Sequence, residues 1–563
     1  MSQAASVAVL GGGISGLATA YYLAKSLPRN AHITLYESSK RLGGWIESTR
    51  VALPSGTHEL LRRAPLQAQA LTKVPAEDEV LFEHGPRTLR VSKRVSSVNM
   101  FDMIRRLGLE EDLIVVRKDS AAARNRYIYW AGRINKVPYS VTSILRFYFS
   151  QPLFRGMLGE VLREPFRATR SGAAQDESIG SFMSRRFGKR ITDRLVAAAL
   201  HGIYAGDIYQ LSVRSILEYL WRREKNNGSI ISLWPKGKKK KEQQKLEKEK
   251  QDAKRPSIAR NQKYLTQLQL DNEGLLSRLE GASIVSFKSG MQVVVDRMAE
   301  ELAAAENVTV KQGALVTKLE RASSTSDDIA ITTADGERAT YSHVISTVPA
   351  WRLADMTDGS APDFSRLLRQ IPSVSVGVVN LFFSETRLLP VTGFGYLLPR
   401  GLPPTANPEH ALGVVFDSDA VAAPDGTHSL QDTAQGTKIT VMLGGHWWSG
   451  PEGAARKVHD SADAIAQSRQ LLARQLGVSA SPALAQARVQ ERCIPQYVVG
   501  HTATLRALDR ASVDAFGNRL MLAGASFRGV SVNDCVYNAR LAAEAVAAGT
   551  ARGGVAGFEE EEE

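Results

Sequence analysis

The stretch that decides the fold is VAVLGGGISGLATA at residues 7–20, followed by ITLYESSKRLGGW at residues 33–45. An apolar run, a segment with helical spacing and a second apolar run follow one another, which predicts a strand-helix-strand unit. Gly11, Gly13 and Gly16 give the spacing GxGxxG where the first strand enters the helix. Glycines there allow a tight turn and close approach of the backbone to a pyrophosphate, and the helix N-terminus supplies N–H donors. Alone, the spacing also fits a purely structural glycine loop.

An acid and a second pair of glycines extend the motif. Glu37 follows Gly16 by 21 residues, close to the spacing of about 20 at which an acid holds ribose hydroxyls. Taken alone, Glu37 fits a solvated loop carboxylate equally well. Arg41 and the pair Gly43 and Gly44 complete ExxxRxGG, which a fold that binds only nicotinamide does not need. Arg41 either caps a phosphate or stabilises the loop, and the glycines let the backbone approach a flavin. The combined motif predicts FAD.

A third element stands near the C-terminus, LMLAGASFRGVSVNDC at residues 520–535. A strand ending at Gly524 and Ala525 would reach the cofactor. A helix starting near Val532 would direct its N–H groups at the flavin pyrimidine, where negative charge develops on reduction. An ordinary αβ packing unit has the same pattern. Together with the N-terminal motif, it predicts that the chain returns to its first domain.

The segments between these motifs differ in pattern. Residues 98–223 show mostly helical spacing, whereas the apolar runs beyond residue 283 are short and rich in Val, Ile and Thr, which predicts a mixed or antiparallel sheet. Residues 225–272 are highly charged, which predicts a solvated insertion.

Composition limits the chemistry. The chain has 563 residues, of which 43% are apolar, enough for two or three domains. Cys493 and Cys535 form neither a CxxC motif nor a disulfide framework, and the histidines lack metal-ligand spacing, so we predict no metal and a cofactor-based redox chemistry. The net charge of +13 suits an anionic membrane, an acidic substrate or nucleic acid. The lysine-rich run at residues 236–255 lacks interleaved aromatic residues, which argues against nucleic acid.

Membrane contact, if present, is expected to be monotopic. No apolar stretch of about 18 residues occurs, and only six residues precede the first apolar run, so we expect neither a transmembrane helix nor a cleavable targeting segment. Residues 140–154, SVTSILRFYFSQPLF, interleave large apolar side chains with one arginine. Such a segment lies in a bilayer interface or packs on its own domain.

Twelve strings, in order along the chain, carry a resemblance to a known family: VAVLGGGISGLATA, ESSKRLGGWI, FEHGPRTLR, HGIYAGD with LSVRS, FKSGMQ, HVISTVPA, VSVGVVNLFF, GFGYLLP, VMLGG, IPQYVVGH and LAGASFRGVSVNDC. The chain resembles the mitochondrial protoporphyrinogen oxidases of eukaryotes along nearly its whole length, apart from residues 225–272 and the acidic tail. The N-terminal motifs are shared with amine oxidases and phytoene desaturases.

This resemblance implies an α/β fold with a discontinuous Rossmann-type FAD-binding domain, a mixed-sheet substrate domain and a mostly α-helical membrane-binding domain. The expected segments are FAD-binding residues 1–96, 275–348 and 515–552, helical residues 97–224, a flexible charged insertion at residues 225–274, substrate-binding residues 349–514 and an acidic tail at residues 553–563.

The motifs and the resemblance together give two sets of site residues. The cofactor set is Gly11, Gly12, Gly13, Ile14, Ser15, Gly16, Glu37, Arg41, Gly43, Gly44, Trp45, Gly85, Pro86, Arg87, Thr88, Val316, Gly524, Ala525, Val530, Ser531 and Val532. The substrate set is Arg90, Gly202, Phe394, Leu397, Val415 and Met442. Arg90 is expected to pair with a propionate, since a carboxylate entering an apolar cleft needs a fixed cation, and the others to line an apolar slot. His201 stands where relatives carry an arginine. It either faces the pocket or is a buried histidine with satisfied hydrogen bonds, and we favour the latter.

The implied reaction is oxidation of protoporphyrinogen IX to protoporphyrin IX, with O2 reoxidising FAD and giving H2O2, in haem biosynthesis. No catalytic residue is expected, because FAD accepts the hydride. The implied location is the mitochondrial inner membrane, peripheral or monotopic, on its intermembrane-space face, and the resemblance also allows a homodimer and a contact with ferrochelatase. Another amine oxidase or a carotenoid-type desaturase shares the N-terminal motif. A catalytically silent flavoprotein scaffold on the membrane is the alternative outside enzymes.

Overall fold

A computed structural model of the chain describes residues 5–53, 78–139, 141–170, 175–231, 256–323, 326–423, 426 and 428–557, with the backbone alone for residues 141–145 and 256–261. Its strands are β1 Ser6–Leu10, β2 His32–Glu37, β3 Ser48–Ala52, β4 Glu79–Glu83, β5 Leu89–Arg90, β6 Leu113–Arg117, β7 Arg126–Trp130, β8 Arg133–Lys136, β9 Ala282–Phe287, β10 Val308–Gln312, β11 Val316–Ser323, β12 Ser326–Thr333, β13 Arg338–Tyr341, β14 His343–Ser346, β15 Ser373–Phe383, β16 Gly395–Leu397, β17 Ala411–Phe416, β18 Thr437–Gly444, β19 Leu484–Pro495, β20 Leu520–Leu522 and β21 Gly554–Val555.

The α-helices of the same residues are α1 Ile14–Ser26, α2 Val95–Arg106, α3 Ala121–Arg124, α4 Val141–Ser150, α5 Leu158–Arg163, α6 Ile179–Ile191, α7 Ala197–Tyr204, α8 Val213–Ile216, α9 Glu218–Asn227, α10 Pro256–Asp271, α11 Glu273–Arg278, α12 Gln292–Ala303, α13 Ala350–Thr357, α14 Pro362–Leu368, α15 Asp417–Ala420, α16 Gly450–Ala454, α17 Ser461–Leu476, α18 His501–Phe516 and α19 Val532–Ala547. One π-helical turn, Thr192–Val196, joins α6 to α7.

The glycine-rich turn follows the first strand of a parallel sheet. Six strands pair in the order β10-β2-β1-β14-β20-β21, all parallel. The apolar side chains of β1 are buried on both faces, because α1, α2, α12 and α19 contribute to the core on one side and α13, α14 and α18 to the core on the other. The strands come from three distant parts of the chain. The predicted discontinuous α/β domain is confirmed.

The second large sheet is mixed and has seven strands in the order β19-β15-β18-β17-β16-β7-β8. Its neighbours are antiparallel except for β16 and β7, which run parallel. The short Val- and Ile-rich runs predicted beyond residue 283 are present as strands, and alternate residues of β17 and β18 enter a common apolar core.

The structure differs from the sequence prediction at residues 113–136, where helical spacing was expected. Strands β6, β7 and β8 lie there, and β7 and β8 extend the mixed sheet. The sequence RYIYW of β7 is rich in aromatic and β-branched residues, which favour strands. Tyr127 and Tyr129 lie in the sheet core, whereas Ile128 packs on the other face with the helical segment. Partners far along the chain therefore decide the conformation of this segment.

Two predicted boundaries also fall inside packed structure. Helix α2, which spans the expected boundary at residue 96, places Met100 and Phe101 in the core of the parallel sheet. Helix α10 lies in the segment expected to be a flexible insertion, but it buries Leu268, and the Tyr264 hydroxyl donates to Asn99 at 2.6 Å. The lysine-rich run at residues 236–255 and the terminal glutamates lie outside the described residues. The division into domains stays a prediction.

Across the described residues, no helix has both the length and the apolar character needed to span a membrane.

Candidate active site

The glycine turn brings three chain segments together at the carboxyl end of the parallel sheet. Gly11 has φ +99°, a conformation that L side chains rarely adopt. A Cβ on Gly16 would lie 1.7 Å from the carbonyl oxygen of Gly11, and a Cβ on Gly12 would lie 2.7 Å from Leu42. The N–H of Gly43 donates to the carbonyl of Gly12 at 2.8 Å, so the ExxxRxGG loop closes directly onto the turn. Only glycine fits these contacts.

This geometry fits a dinucleotide such as FAD. Helix α1 starts after Gly13 with no side chain capping its N-terminus, so the N–H groups of Ile14 and Ser15 are available to a pyrophosphate. Beside them, Gly44 lies so near the turn that a Cβ would be 3.1 Å from the Cα of Gly13. The absence of side chains on both segments leaves a cradle lined by backbone. The structure thus places the glycine turn, the start of α1 and Gly44 next to one another, as the motifs predict for a nucleotide site.

Glu37 ends β2 at the edge of this cradle. Its carboxylate accepts the N–H of Gly12 at 2.7 Å and the N–H of Ser39 at 2.7 Å, so its position is fixed by backbone donors. An ionised carboxylate has about four acceptor sites, and the remaining ones are available to ribose hydroxyls. Residues 313 and 314 donate to the carbonyls of Ser39 and Glu37, both at 2.9 Å, which brings the start of β11 at Val316 to the same edge.

Two arginines of the predicted cofactor set make other contacts. The Arg41 guanidinium donates to the carbonyls of Leu42 at 2.9 Å and Ile46 at 2.8 Å, and also to that of Gly44. Of the two roles considered for Arg41, the geometry favours loop stabilisation. Arg87 forms an ion pair with Asp417 at 2.7 Å, and so ties the cofactor loop to the mixed sheet instead of pointing its charge at the cradle.

The other predicted cofactor positions line the rest of the cleft. A Cβ on Gly85 would lie 1.8 Å from the carbonyl oxygen of Trp45, so residues 85–88 run beside the ExxxRxGG loop. At the end of β20, a Cβ on Gly524 would lie 3.5 Å from the Ser15 hydroxyl, and so this strand reaches the start of α1. Ser531 caps α19 by accepting the N–H of Asp534 at 3.2 Å. Val530 and Val532 flank this cap, in the position expected for the flavin end.

Three of the predicted substrate positions, Leu397, Val415 and Met442, share one face of the mixed sheet. Val415 and Met442 are partly exposed, whereas the residues that flank them in β17 and β18 are buried. In register, Leu397 stands opposite Gly413, next to Met442, and Val415 stands opposite Gly395. Gly202, at the end of α7, closes the other side, since a Cβ there would lie 3.1 Å from Leu397. The structure therefore brings these four residues, each at least partly exposed, together as one apolar surface, which we call the slot.

Arg90 ends the short strand β5, beside the start of α19. Its carbonyl accepts the Ser97 hydroxyl at 3.0 Å and the side-chain amide of Asn533 at 3.1 Å, which links it to the start of α19. In the described residues, no carboxylate or carbonyl pairs with its exposed guanidinium. Phe394 packs against the apolar cluster containing Ile284, the strand partner of Arg90. Arg90 and Phe394 thus lie on the same side of the site.

Comparison with known proteins gives consistent results. The family model of flavin containing amine oxidoreductases matches residues 14–547. The chain is 32% identical over 549 residues to protoporphyrinogen oxidase of Schizosaccharomyces pombe, covering 96% of this chain and 98% of the relative. It is 31% identical over 543 residues to protoporphyrinogen oxidase of Homo sapiens, with 96% and 98% covered. The chain belongs to the flavin containing amine oxidoreductase family. A crystal structure of a protein from Exiguobacterium sp. 255-15 shares the fold, with a TM-score of 0.67, 20% identity and coverage of 97% of this chain and 99% of that one.

Family membership establishes the cofactor and the enzyme class. The chain is an FAD-dependent oxidoreductase with the α/β fold of this family. The resemblance to protoporphyrinogen oxidases that the sequence motifs predicted is confirmed.

Within this flavoprotein, His201 proves to be buried behind the slot. Its Nδ1 donates to the carbonyl of Leu398 at 2.7 Å, because a carbonyl oxygen only accepts. Near pH 7 the ring is neutral, so its Nε2 lacks a proton and accepts the Nε2–H of His446 at 2.9 Å. Burial lowers the pKa of His201 to about 4, and burial followed by the neighbouring His201 lowers the pKa of His446 to about 2. The pair is neutral and joins α7 to the residue after β16 and to the turn after β18.

Two residues of the site were not found from the sequence. Tyr497 is fully buried, its hydroxyl donates to the carbonyl of Ala525 at 2.6 Å, and burial raises its pKa well above the ordinary value. Asn533 holds Arg90, as described above. Both lie inside strings that resemble the family, but neither residue type nor spacing marks them as site residues, and their contacts span tens to hundreds of residues of sequence.

Proposed function

We propose that this FAD enzyme oxidises protoporphyrinogen IX to protoporphyrin IX with O2, forming H2O2, in haem biosynthesis. The observation that carries the proposal is an open apolar slot with an unpaired arginine at its rim. A tetrapyrrole dicarboxylate combines a large apolar ring with acidic side chains, and so matches both features. The curated relatives with 31–32% identity bear the name of this activity over their whole length.

The chemistry supplied by bound FAD is acceptance of two electrons in each of three rounds, which O2 then removes as H2O2. The chain's own residues position the partners. Glu37 and the glycine turn hold the nucleotide, Arg90 anchors a propionate, and Leu397, Val415 and Met442 exclude water from the ring face. None of these slot side chains is an acid or base, so the contribution of the slot is orientation and not proton transfer.

We further propose that the enzyme binds a membrane surface through its helical segment. Phe149 in α4 is 77% exposed and Phe166 is 86% exposed, which suits insertion of aromatic side chains into a bilayer interface. In the same region Leu153 and Phe154 are buried, so part of the predicted segment packs on its own domain. The proposed site of action is the intermembrane-space face of the mitochondrial inner membrane. A homodimer and a ferrochelatase contact remain expectations.

Anaerobic mixing with protoporphyrinogen IX tests the reaction. Flavin absorbance near its visible maximum should bleach on mixing, and admission of air should restore it with the growth of porphyrin fluorescence above the enzyme-free autoxidation rate. A flavoprotein that stays yellow with porphyrinogen but bleaches with polyamines would instead be an amine oxidase. One that bleaches with neither, nor with a carotenoid precursor, would support a silent scaffold.

A further inference from the structure

A second arginine stands on the slot face of the mixed sheet. Arg126 begins β7 and pairs in parallel register with Gly395, which in turn pairs with Val415. Residues in register on neighbouring strands project to the same face of a sheet. Tyr127, the next residue, points into the sheet core, so Arg126 faces the side on which Val415 lies. Gly395 has no side chain to separate the two.

The guanidinium of Arg126 lies beside the substrate positions. It is 5.8 Å from the ring centroid of Phe394. Phe394 links the two arginines, because it also packs on the cluster of Ile284, the strand partner of Arg90. Partial burial, and then the charge of Arg90, lower the pKa of Arg126. Among the described residues, no carboxylate pairs with either guanidinium.

Unpaired arginines are not the rule around this site. Arg87 pairs with Asp417 at 2.7 Å, and Arg400 pairs with Asp207 at 2.5 Å. Two neighbouring cations without an acid between them destabilise each other, and a bound dianion would relieve that repulsion. The geometry therefore suits a ligand with two acidic groups at the rim of an apolar slot.

We propose that Arg126 binds the second propionate of the tetrapyrrole substrate, while Arg90 binds the first. This inference rests on the proposed function. It makes the spacing of the two arginines a determinant of substrate choice, favouring tetrapyrroles whose two acidic side chains lie on one edge of the ring.

Equilibrium binding tests the role separately from turnover. The purified FAD-loaded protein is titrated with protoporphyrin IX and with its dimethyl ester, which has the same ring but no carboxylate, and porphyrin fluorescence is followed. Loss of one charge-assisted contact in Arg126→Ala should weaken diacid binding about 10- to 100-fold. Ester binding should change less than about 2-fold, and Arg126→Lys should recover part of the diacid affinity, because its charge remains but its fork geometry is lost. In turnover, KM for protoporphyrinogen IX should rise and kcat should be nearly unchanged.

Arg124→Ala is the matched control, because Arg124 is exposed two residues away and lies over Tyr139; it should leave both ligands unaffected. The double variant Arg90→Ala with Arg126→Ala should bind the diacid more weakly than either single variant, since each arginine holds a different carboxylate; because the two cations interact, the losses need not be strictly additive. Equal loss of diacid and ester affinity, no loss, or a double variant no worse than the single ones would overturn the role of Arg126 while leaving the proposed function standing. A wild-type protein that oxidises no porphyrinogen and does not distinguish diacid from ester would overturn both.

Discussion

Replacing Glu37 with glutamine tests how the glycine turn and the ExxxRxGG loop share one cofactor anchor. The Glu37 carboxylate accepts N–H groups from Gly12 and Ser39, each at 2.7 Å. Glutamine keeps the shape but has one oxygen, so its amide nitrogen must face one of these donors. The variant loses the charge and one charge-assisted hydrogen bond, worth about 1.5–3 kcal/mol.

The lost hydrogen bond directly affects the backbone that would hold the cofactor. The carboxylate positions Gly12 and the loop that carries Gly43 and Gly44, and its remaining acceptor sites are those that ribose hydroxyls would use. Since 1.4 kcal/mol corresponds to a tenfold change in an equilibrium constant, FAD should bind about 10- to 150-fold more weakly to Glu37→Gln.

The assay is titration of apoprotein with FAD, following the quenching of flavin fluorescence, together with thermal unfolding at one fixed excess of FAD. A weaker complex should show a smaller ligand-induced stabilisation, by RT times the logarithm of the affinity ratio. Glu301→Gln is the control, because that exposed carboxylate pairs with Lys25 at 3.0 Å on the outer surface. Wild-type FAD affinity in Glu37→Gln would refute the assigned anchor.

Two further predictions concern acid stability and the membrane. Burial lowers the pKa of His201 and of His501 to about 4, so below about pH 6.5 the unfolded chain binds protons that the folded chain refuses. The free energy of unfolding should therefore fall by about 1.4 kcal/mol per pH unit for each histidine as the pH drops from about 6.5 towards 4. Urea unfolding of the wild type and of His201→Gln at pH 7.5 and 5.5 measures this pH dependence. A variant whose free energy of unfolding falls as steeply with pH as that of the wild type would contradict the role of His201. Replacing Phe149 and Phe166 with serine should reduce cosedimentation with anionic vesicles, while thermal unfolding and flavin content stay constant. The control Leu270→Ser, at a side chain that is 67% exposed on α10, should leave vesicle binding unchanged. Unchanged vesicle binding in the phenylalanine variant would exclude these two residues from the membrane face.

The nucleotide-binding part of the fold was predictable because its determinants are local. The glycine spacing, the acid 21 residues beyond Gly16 and the apolar runs on either side lie within one supersecondary unit. The first strand starts at Ser6, one residue before the quoted apolar run, and the helix starts at Ile14, inside the GxGxxG motif. Short-range pattern and tertiary structure agree there.

The arginines show where such reasoning ends. Arg41 and Arg87 stand in cofactor-binding motifs, yet Arg41 bonds its own loop and Arg87 pairs with Asp417, 330 residues along the chain. A guanidinium reaches several acceptors from one backbone position, so its partner depends on which distant segments pack nearby. No spacing rule reveals that choice.

The contacts of His201 also depend on residues far along the chain, but here the partners are neutral instead of oppositely charged. A buried arginine at position 201 would bring a charge that needs a paired acid, because burying an unpaired ion is costly. In this chain a neutral histidine pair joins α7 to the sheet instead, through the carbonyl of Leu398 and through His446. The wall beside Leu397 is thus closed by hydrogen bonds that carry no net charge. Positive charge at the slot then comes from its rim, where Arg90 and Arg126 lie without acidic partners among the described residues. On the proposed function, a tetrapyrrole dicarboxylate whose apolar ring lies against this neutral wall and whose acids bind the cationic rim would be oriented in a single way.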